Sequence, residues 1–315
     1  MKKLSDFEDE INKCSKCGLC QSVCPIYKLT GNDCAVSRGK FIMLDGVLKG
    51  DLKLNKTINK YLDLCLKCDK CSNFCPSAID VCKIFETAKY EYAQNSFWSK
   101  FVFFLESKFV FGNFLKLMKI FSDSKKRKKT QNTNLKLLYF KGCVNNIYPQ
   151  ADKFLHKLFD NSNIEIIEKD FDCCGLPFLS SGNLERFEEV KKHNLALMDC
   201  DFDYILTDCA SCESTLKKYA KAKFINLGEL IAQQNIKFKF EKPIKVTFHK
   251  PCHLANDDFW LKIIENSENV EYVKMKDYDE CCGLAGEFAI KNHKISQELS
   301  KQKAQNAIAT GADYI

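Results

Sequence analysis

The sequence predicts an α+β multidomain chain: a helical, cysteine-dense N-terminal unit followed by two copies of one α/β unit, the second cut short. Three observations predict it. Two runs of closely spaced cysteines lie between Cys14 and Cys75, among helix-like stretches such as Phe41 to Leu48 and Val81 to Ala93. From Leu135 onward, apolar strand-like runs alternate with helix-like ones, the order expected of parallel strands joined by helical crossovers. Within that half, landmark residues recur at a nearly constant offset.

The units are taken in chain order as residues 1–95, 96–134, 135–240 and 241–315. A chain of 315 residues is long enough for each compact unit to bury its own core. Its 19 cysteines far exceed ordinary usage, whereas the apolar and charged fractions are those of a soluble globular protein. Met1 to Glu10 holds no apolar core with a cleavage site, so a cytoplasmic location is expected. There thiols stay reduced, and clustered cysteines read as metal or redox ligands rather than as disulfides.

In the second stretch, Phe97 to Phe121 is rich in aromatics and leucines, but Lys100, Glu106, Lys108, Lys116 and Lys119 interrupt it. A membrane span needs about 20 nearly uncharged residues, so amphipathic helices are expected, packed on a core or partner or lying peripherally at the inner membrane face. Ser122 to Asn134 reads as a linker carrying the basic run Lys125, Lys126, Arg127, Lys128 and Lys129. That run accounts for part of a formal charge of +7. Nucleic-acid binding is not expected, because no helix-turn-helix pattern, zinc-finger spacing or basic motif interleaved with aromatics accompanies it.

The repeat fixes the third and fourth units. Cys143 matches Cys252, Cys173-Cys174-Gly175-Leu176 matches Cys281-Cys282-Gly283-Leu284, and Asp203-Tyr204-Ile205 matches Asp313-Tyr314-Ile315. The first copy is expected to run as strand Leu135 to Phe140, helix Ala151 to Phe159, strand Ile164 to Ile167, a cysteine turn, helix Leu184 to Met198 and strand Tyr204 to Thr207. It continues to Cys209 and Cys212. The second copy stops one residue past Tyr314 and reads as truncated, with an incomplete last strand.

Cys14, Cys17, Cys20 and Cys24 before Pro25, and again Cys65, Cys68, Cys71 and Cys75 before Pro76, fit C-x2-C-x2-C-x3-C-P. Three thiolates at this spacing wrap three corners of a [4Fe-4S] cubane, and the fourth reaches the neighbouring cluster. Crossed ligation is therefore expected. One cluster takes Cys14, Cys17, Cys20 and Cys75, the other Cys65, Cys68, Cys71 and Cys24. Zinc knuckles are the alternative, but they need neither the third cysteine nor the proline.

With Ser37-Arg38-Gly39-Lys40 between these motifs, the first unit resembles the helical dicluster ferredoxin module of one family: the iron–sulfur subunits of glycolate oxidase and of anaerobic glycerol-3-phosphate dehydrogenase. Arg38 takes the place of that family's arginine, whereas Cys34 and Val36 stand where the family has an acidic residue and a proline. The set Cys143, Cys173, Cys174, Cys209 and Cys212 resembles the family's cysteine-rich, or CCG, domain. In a relative, the CCG-bearing chain of heterodisulfide reductase, such a five-cysteine set holds a noncubane [4Fe-4S] cluster, and the resemblance implies a third cluster here. Structural zinc or unligated buried thiols are the plainer alternatives. Cys252, Cys281 and Cys282 offer three thiolates, for an incomplete site at most. Gly175 and Gly283 supply the sharp turn that adjacent cysteines need to face one site. His249 and His253 flank Cys252, either in a direct role or as hydrogen-bond donors. Cys34, Cys82 and Cys200 lie outside every motif and read as small buried apolar residues.

No G-x-G-x-x-G, P-loop, H-E-x-x-H or nucleophile elbow is present, so no flavin, nicotinamide or ATP site and no catalytic residue is named. The resemblance implies an iron–sulfur electron-transfer subunit of an oxidoreductase. Its expected partner is an FAD-linked dehydrogenase of the glycolate or lactate type, and its acceptor a quinone or another carrier. Thiol–disulfide chemistry at the first cysteine-rich unit is the rival expectation.

Overall fold

The computed structural model describes residues 2–96 and 135–315 apart from 147, 161 and 285. The helices expected over 97–121 and the basic linker after them lie outside the described residues. Among the described residues no helix is long and apolar enough to cross a membrane.

The N-terminal unit is helical: α1 (Glu8–Asn12), α2 (Leu19–Val23), α3 (Pro25–Thr30), α4 (Ser37–Leu48), α5 (Lys56–Asp63), α6 (Lys70–Asn73) and α7 (Val81–Gln94). Local chemistry sets the boundaries. Pro25 opens α3, where its missing N–H costs nothing. Asn55 accepts from the Thr57 and Ile58 N–H groups to cap α5, and Asp80 accepts from Lys83 N–H to cap α7. Leu4, Phe7, Phe41, Leu44, Leu62, Ile84 and Phe85 form the core, and Cys14, Cys65, Cys71 and Cys75 pack against it.

The next unit is a parallel sheet with helices on both faces. Its strands β1 (Leu135–Tyr139), β2 (Ile164–Glu168), β3 (Tyr204–Thr207) and β4 (Phe224–Asn226) lie in the order β2-β1-β3-β4. Side chains alternate across a strand. Leu137 and Tyr139 therefore join one layer with Leu155 and Phe159 of α8 (Gln150–Phe159) and with Leu230 of α12 (Leu227–Gln233). Leu138 and Phe140 join the other, with Cys173, Cys174 and Leu216. On that side run α9 (Leu176–Ser181), α10 (Leu184–Leu197) and α11 (Ala210–Leu216). The predicted order of elements forms, each end shifted by no more than a residue. β4 and α12, which the repeat does not contain, extend it.

The last unit pairs β5 (Lys239–Val246) with β6 (Glu268–Tyr272), again parallel, with α13 (Asp258–Glu265) between them and α14 (Phe288–Lys291) and α15 (His293–Ile308) after them. β5 begins at Lys239, so the boundary placed between residues 240 and 241 falls inside a strand. The repeat extends to single hydrogen bonds. Lys136 N–H donates to Asp203 Oδ2 and Asp203 N–H to the Lys136 carbonyl, while Lys245 and Asp313 make the same two bonds. The last strand amounts to one parallel bridge between Val246 and Tyr314.

The three units meet at Lys89. Its ammonium, on α7, is buried and pairs with Asp63 of α5 and with Glu287, 3.2 Å away in the last unit. It also donates to the Ser180 carbonyl of α9.

Candidate metal centres

The two N-terminal cysteine loops share a backbone shape. Lys16 and Gly18 in the first, and Lys67 and Asp69 in the second, have positive φ at matching places around the middle cysteine. These turns aim successive thiols inward and free the backbone N–H groups to follow them. Leu19 N–H donates to Cys17, Lys67 N–H to Cys65 and Lys70 N–H to Cys68. Two adjoining hollows result. One is lined by Cys14, Cys17, Cys20 and Cys75, the other by Cys24, Cys65 and Cys68, with Cys71 on the wall of both. The fourth cysteine of each motif thus lines the other motif's hollow.

Charge differs between the two. Arg38 borders the first hollow; its guanidinium lies 3.7 Å from Asp33 and its backbone N–H donates to Cys20. The second hollow is flanked by buried lysines. Lys40 donates to the Leu64 carbonyl at 3.3 Å, with its ammonium 5.2 Å from the Phe85 ring centre. Lys67 lies 3.5 Å from buried Glu86. Burial alone pulls Lys67 toward neutrality, but the Glu86 carboxylate outweighs it and holds the lysine above its usual range. Burial pushes the Cys71 thiol up to about 12. Cys65 is driven the other way, first by a hydrogen bond from Cys82 and then by Lys40 and Lys67.

Sequence reasoning missed that role of Cys82. It is buried on α7 and lines the second hollow. No spacing rule reaches it, because helix packing alone brings it there. Cys34 and Cys200, read as buried, are half-buried.

In the first α/β unit all five cysteines lie past the carboxyl ends of parallel strands. Cys143 follows β1, Cys173 and Cys174 follow β2, and Cys209 and Cys212 follow β3. With strand order β2-β1-β3-β4, the side on which successive strands are added switches between β1 and β3, where open α/β sheets form their binding crevice. Gly175 adopts φ +98°, so α9 starts immediately after the paired cysteines. The thiols touch one another: Cys143 and Cys173 Sγ are 3.9 Å apart. Cys174 accepts from Cys173 and Cys212 and is held well below the usual thiol range, while sharing their protons with neighbours drives Cys173 and Cys212 up. Beneath them Tyr139 donates to Asp208 at 2.8 Å, and Asn145 bonds both.

In the last unit Cys252 and Cys281 Sγ are also 3.9 Å apart. Cys281 packs with Ile26, Leu66, Cys24 and Cys68, so these thiols abut the second N-terminal hollow. His249 Nδ1 donates to the Tyr278 carbonyl, and His253 binds outside its own unit, to Lys67 and Ser211.

Several buried thiolates in one hollow are tolerable only around a cation, and sulfur ligands select iron–sulfur clusters or zinc. Each N-terminal hollow is lined by five sulfurs, enough for a four-thiolate set, and the backbone N–H donors are the bonds that tune cluster potentials. The donor sets fit iron–sulfur clusters, and the chain is an iron–sulfur protein. Models of the 4Fe-4S dicluster domain and of the cysteine-rich CCG domain match residues 10–79, and residues 137–217 and 246–315, respectively. The chain therefore belongs to the iron–sulfur proteins that join a 4Fe-4S dicluster domain to cysteine-rich CCG domains.

Among its relatives, an uncharacterized iron–sulfur protein of Methanococcus maripaludis is 30% identical over 195 residues, 59% of this chain and 40% of that one. One of the subunits of the fumarate reductase (CoM/CoB) of Methanothermobacter marburgensis is 29% identical over 188 residues, 56% and 38% respectively. Lactate utilization protein A of a Geobacillus species is 25% identical over 210 residues, 58% of this chain and 86% of that one. The chain spans about two fifths of each of the two archaeal relatives.

Proposed function

We propose that this chain is the electron-transfer subunit of a flavin-linked 2-hydroxy-acid dehydrogenase, passing electrons from a partner flavoprotein toward a quinone or another carrier. The observation that carries the reading is the exchange of Cys24 and Cys75 between the two adjoining hollows. It supports two [4Fe-4S] clusters held side by side, one by Cys14, Cys17, Cys20 and Cys75 and the other by Cys65, Cys68, Cys71 and Cys24. Such clusters exchange one electron at a time, which is what a two-electron flavin needs downstream. Cys143, Cys173, Cys174, Cys209 and Cys212 would hold a third iron–sulfur centre, favoured by their position in the crevice of the sheet. Cys252, Cys281 and Cys282 would hold an incomplete centre at most. Kinship with a protein named for lactate utilization supports a hydroxy-acid partner.

Anaerobic iron and labile-sulfide analysis tests the cluster count. About twelve irons per chain are expected, about eight would confine clusters to the N-terminal unit, and zinc in their place would overturn the reading. Anaerobic pull-down is expected to recover a flavoprotein.

A second reading, thiol–disulfide chemistry at the five-cysteine nest, is favoured by the 3.9 Å approach of Cys143 and Cys173. It requires the isolated chain to reduce a heterodisulfide with a viologen donor. The relay reading requires that it does not.

A further inference from the structure

We propose that His253 is a positioning residue that couples the Cys65–Cys71 loop to the Cys209–Cys212 loop, giving the second N-terminal cluster a direct route to the centre in the first α/β unit. The proposal rests on the relay reading above.

His253 belongs to the last unit yet makes its hydrogen bonds to the N-terminal unit and to the first α/β unit. Its Nε2 lies 2.7 Å from the Lys67 carbonyl oxygen, and its Nδ1 lies 2.9 Å from Ser211 Oγ. A carbonyl oxygen only accepts, so Nε2 carries the proton and donates it. In the neutral ring Nδ1 then accepts from the Ser211 hydroxyl.

Both ends of this bridge land inside cysteine motifs. Lys67 stands between Cys65 and Cys68, and its own N–H donates to Cys65. Ser211 stands between Cys209 and Cys212, and its own N–H donates to Cys209. A path of covalent and hydrogen bonds therefore runs from Lys67, whose N–H faces Cys65, through the imidazole to Ser211, whose N–H faces Cys209. Electrons tunnel farther through bonded atoms than across gaps, so such a path outcompetes a jump through space.

The far ends are held still. Lys67 is buried, and its ammonium donates to the Cys82 carbonyl at 3.2 Å and faces Glu86. Thr215 donates to the Ser211 carbonyl at 2.8 Å. In the proposed step one electron leaves the iron–sulfur centre of the Cys65 loop, which is oxidised, and reduces the centre of the Cys209 loop. The imidazole begins and ends in the same tautomer, so no proton moves with the electron. The last unit, with only three motif cysteines, then serves the relay chiefly through the residue beside Cys252.

The test uses the full chain, reconstituted anaerobically, as wild type, His253→Ala, His253→Gln and Ser211→Ala. Iron content and midpoint potentials come from chemical analysis and EPR-monitored titration. The rate at which an electron placed on the N-terminal clusters by a photoreductant reaches the third centre comes from rapid-freeze EPR. Iron and potentials are expected to match wild type. The rate is expected to fall in His253→Ala, and to fall less in His253→Gln, which keeps a donor for Lys67 alone. An unchanged rate at wild-type iron content overturns the bridge and leaves the relay reading standing. A slower rate that tracks iron loss or a shifted potential overturns it too, since a merely structural residue would behave that way. A wild-type chain with no iron beyond its N-terminal clusters overturns the relay reading at this unit, and the bridge with it.

Discussion

Cys82 occupies the second position of α7, and its thiol donates to Cys65 on the wall of the second hollow. A hydrogen bond to a ligating sulfur stabilises the more negative, reduced cluster. Cys82→Ala is therefore expected to leave iron content unchanged and to lower that cluster's midpoint potential by about 40 mV, the equivalent of one ordinary hydrogen bond in a one-electron couple. Loss of iron instead would make Cys82 a ligand. Cys24→Ala should disturb the EPR signal of the cluster in the Cys65 loop and spare that of the Cys14 loop; the opposite pattern would refute the exchange of fourth ligands. The motif cysteines are legible because three thiols at that spacing fit a cubane wherever the loop sits. Cys82 is not, because its nearness to Cys65 depends on how α7 packs on the cysteine loop.

At the scale of elements, the turn from β2 through Cys173 and Cys174 into α9 depends on Gly175. A Cβ at Gly175 would strain a backbone at φ +98° and stand 2.6 Å from Phe187 Cδ2. Gly175→Ala is expected to destabilise the chain by about 3 kcal/mol, seen as a lower denaturation midpoint. It should also lower iron content by about the four atoms of one cluster while the N-terminal EPR signals persist. Full iron content in a folded Gly175→Ala variant would mean that this turn does not shape the site. The glycine's need was readable, since adjacent cysteines can face one site only across a sharp turn. Unreadable was β4, three residues long, where local periodicity carries almost no signal; the start of β5 at Lys239 lies within an apolar–charged alternation from Ile236 to Glu241 that does carry a strand signal.

Across the whole molecule, Lys89 is the ion shared by all three units. Removing it leaves Asp63 and Glu287 facing one another in a half-buried site, with Lys291 as their remaining cation. Breaking a buried charge network in this way costs about 3–5 kcal/mol, and Lys291 places Lys89→Ala near the lower end. The variant is expected to unfold at lower denaturant, with the N-terminal unit separating from the α/β units; an unchanged, single transition would show that the ion network does not hold the units together.

The sequence by itself determined the metal chemistry, the two four-cysteine motifs with their exchanged fourth positions as an expectation, and a repeated parallel α/β unit. Those features are local, set by spacing, periodicity and turn residues acting over a few positions. Only the tertiary structure decided that Cys82, Lys40 and Lys67 surround one hollow, that Lys89 joins three units, and that His253 reaches from Lys67 to Ser211. Each of these depends on side chains far apart in the chain meeting through packed cores, and no local pattern encodes which distant surfaces will meet.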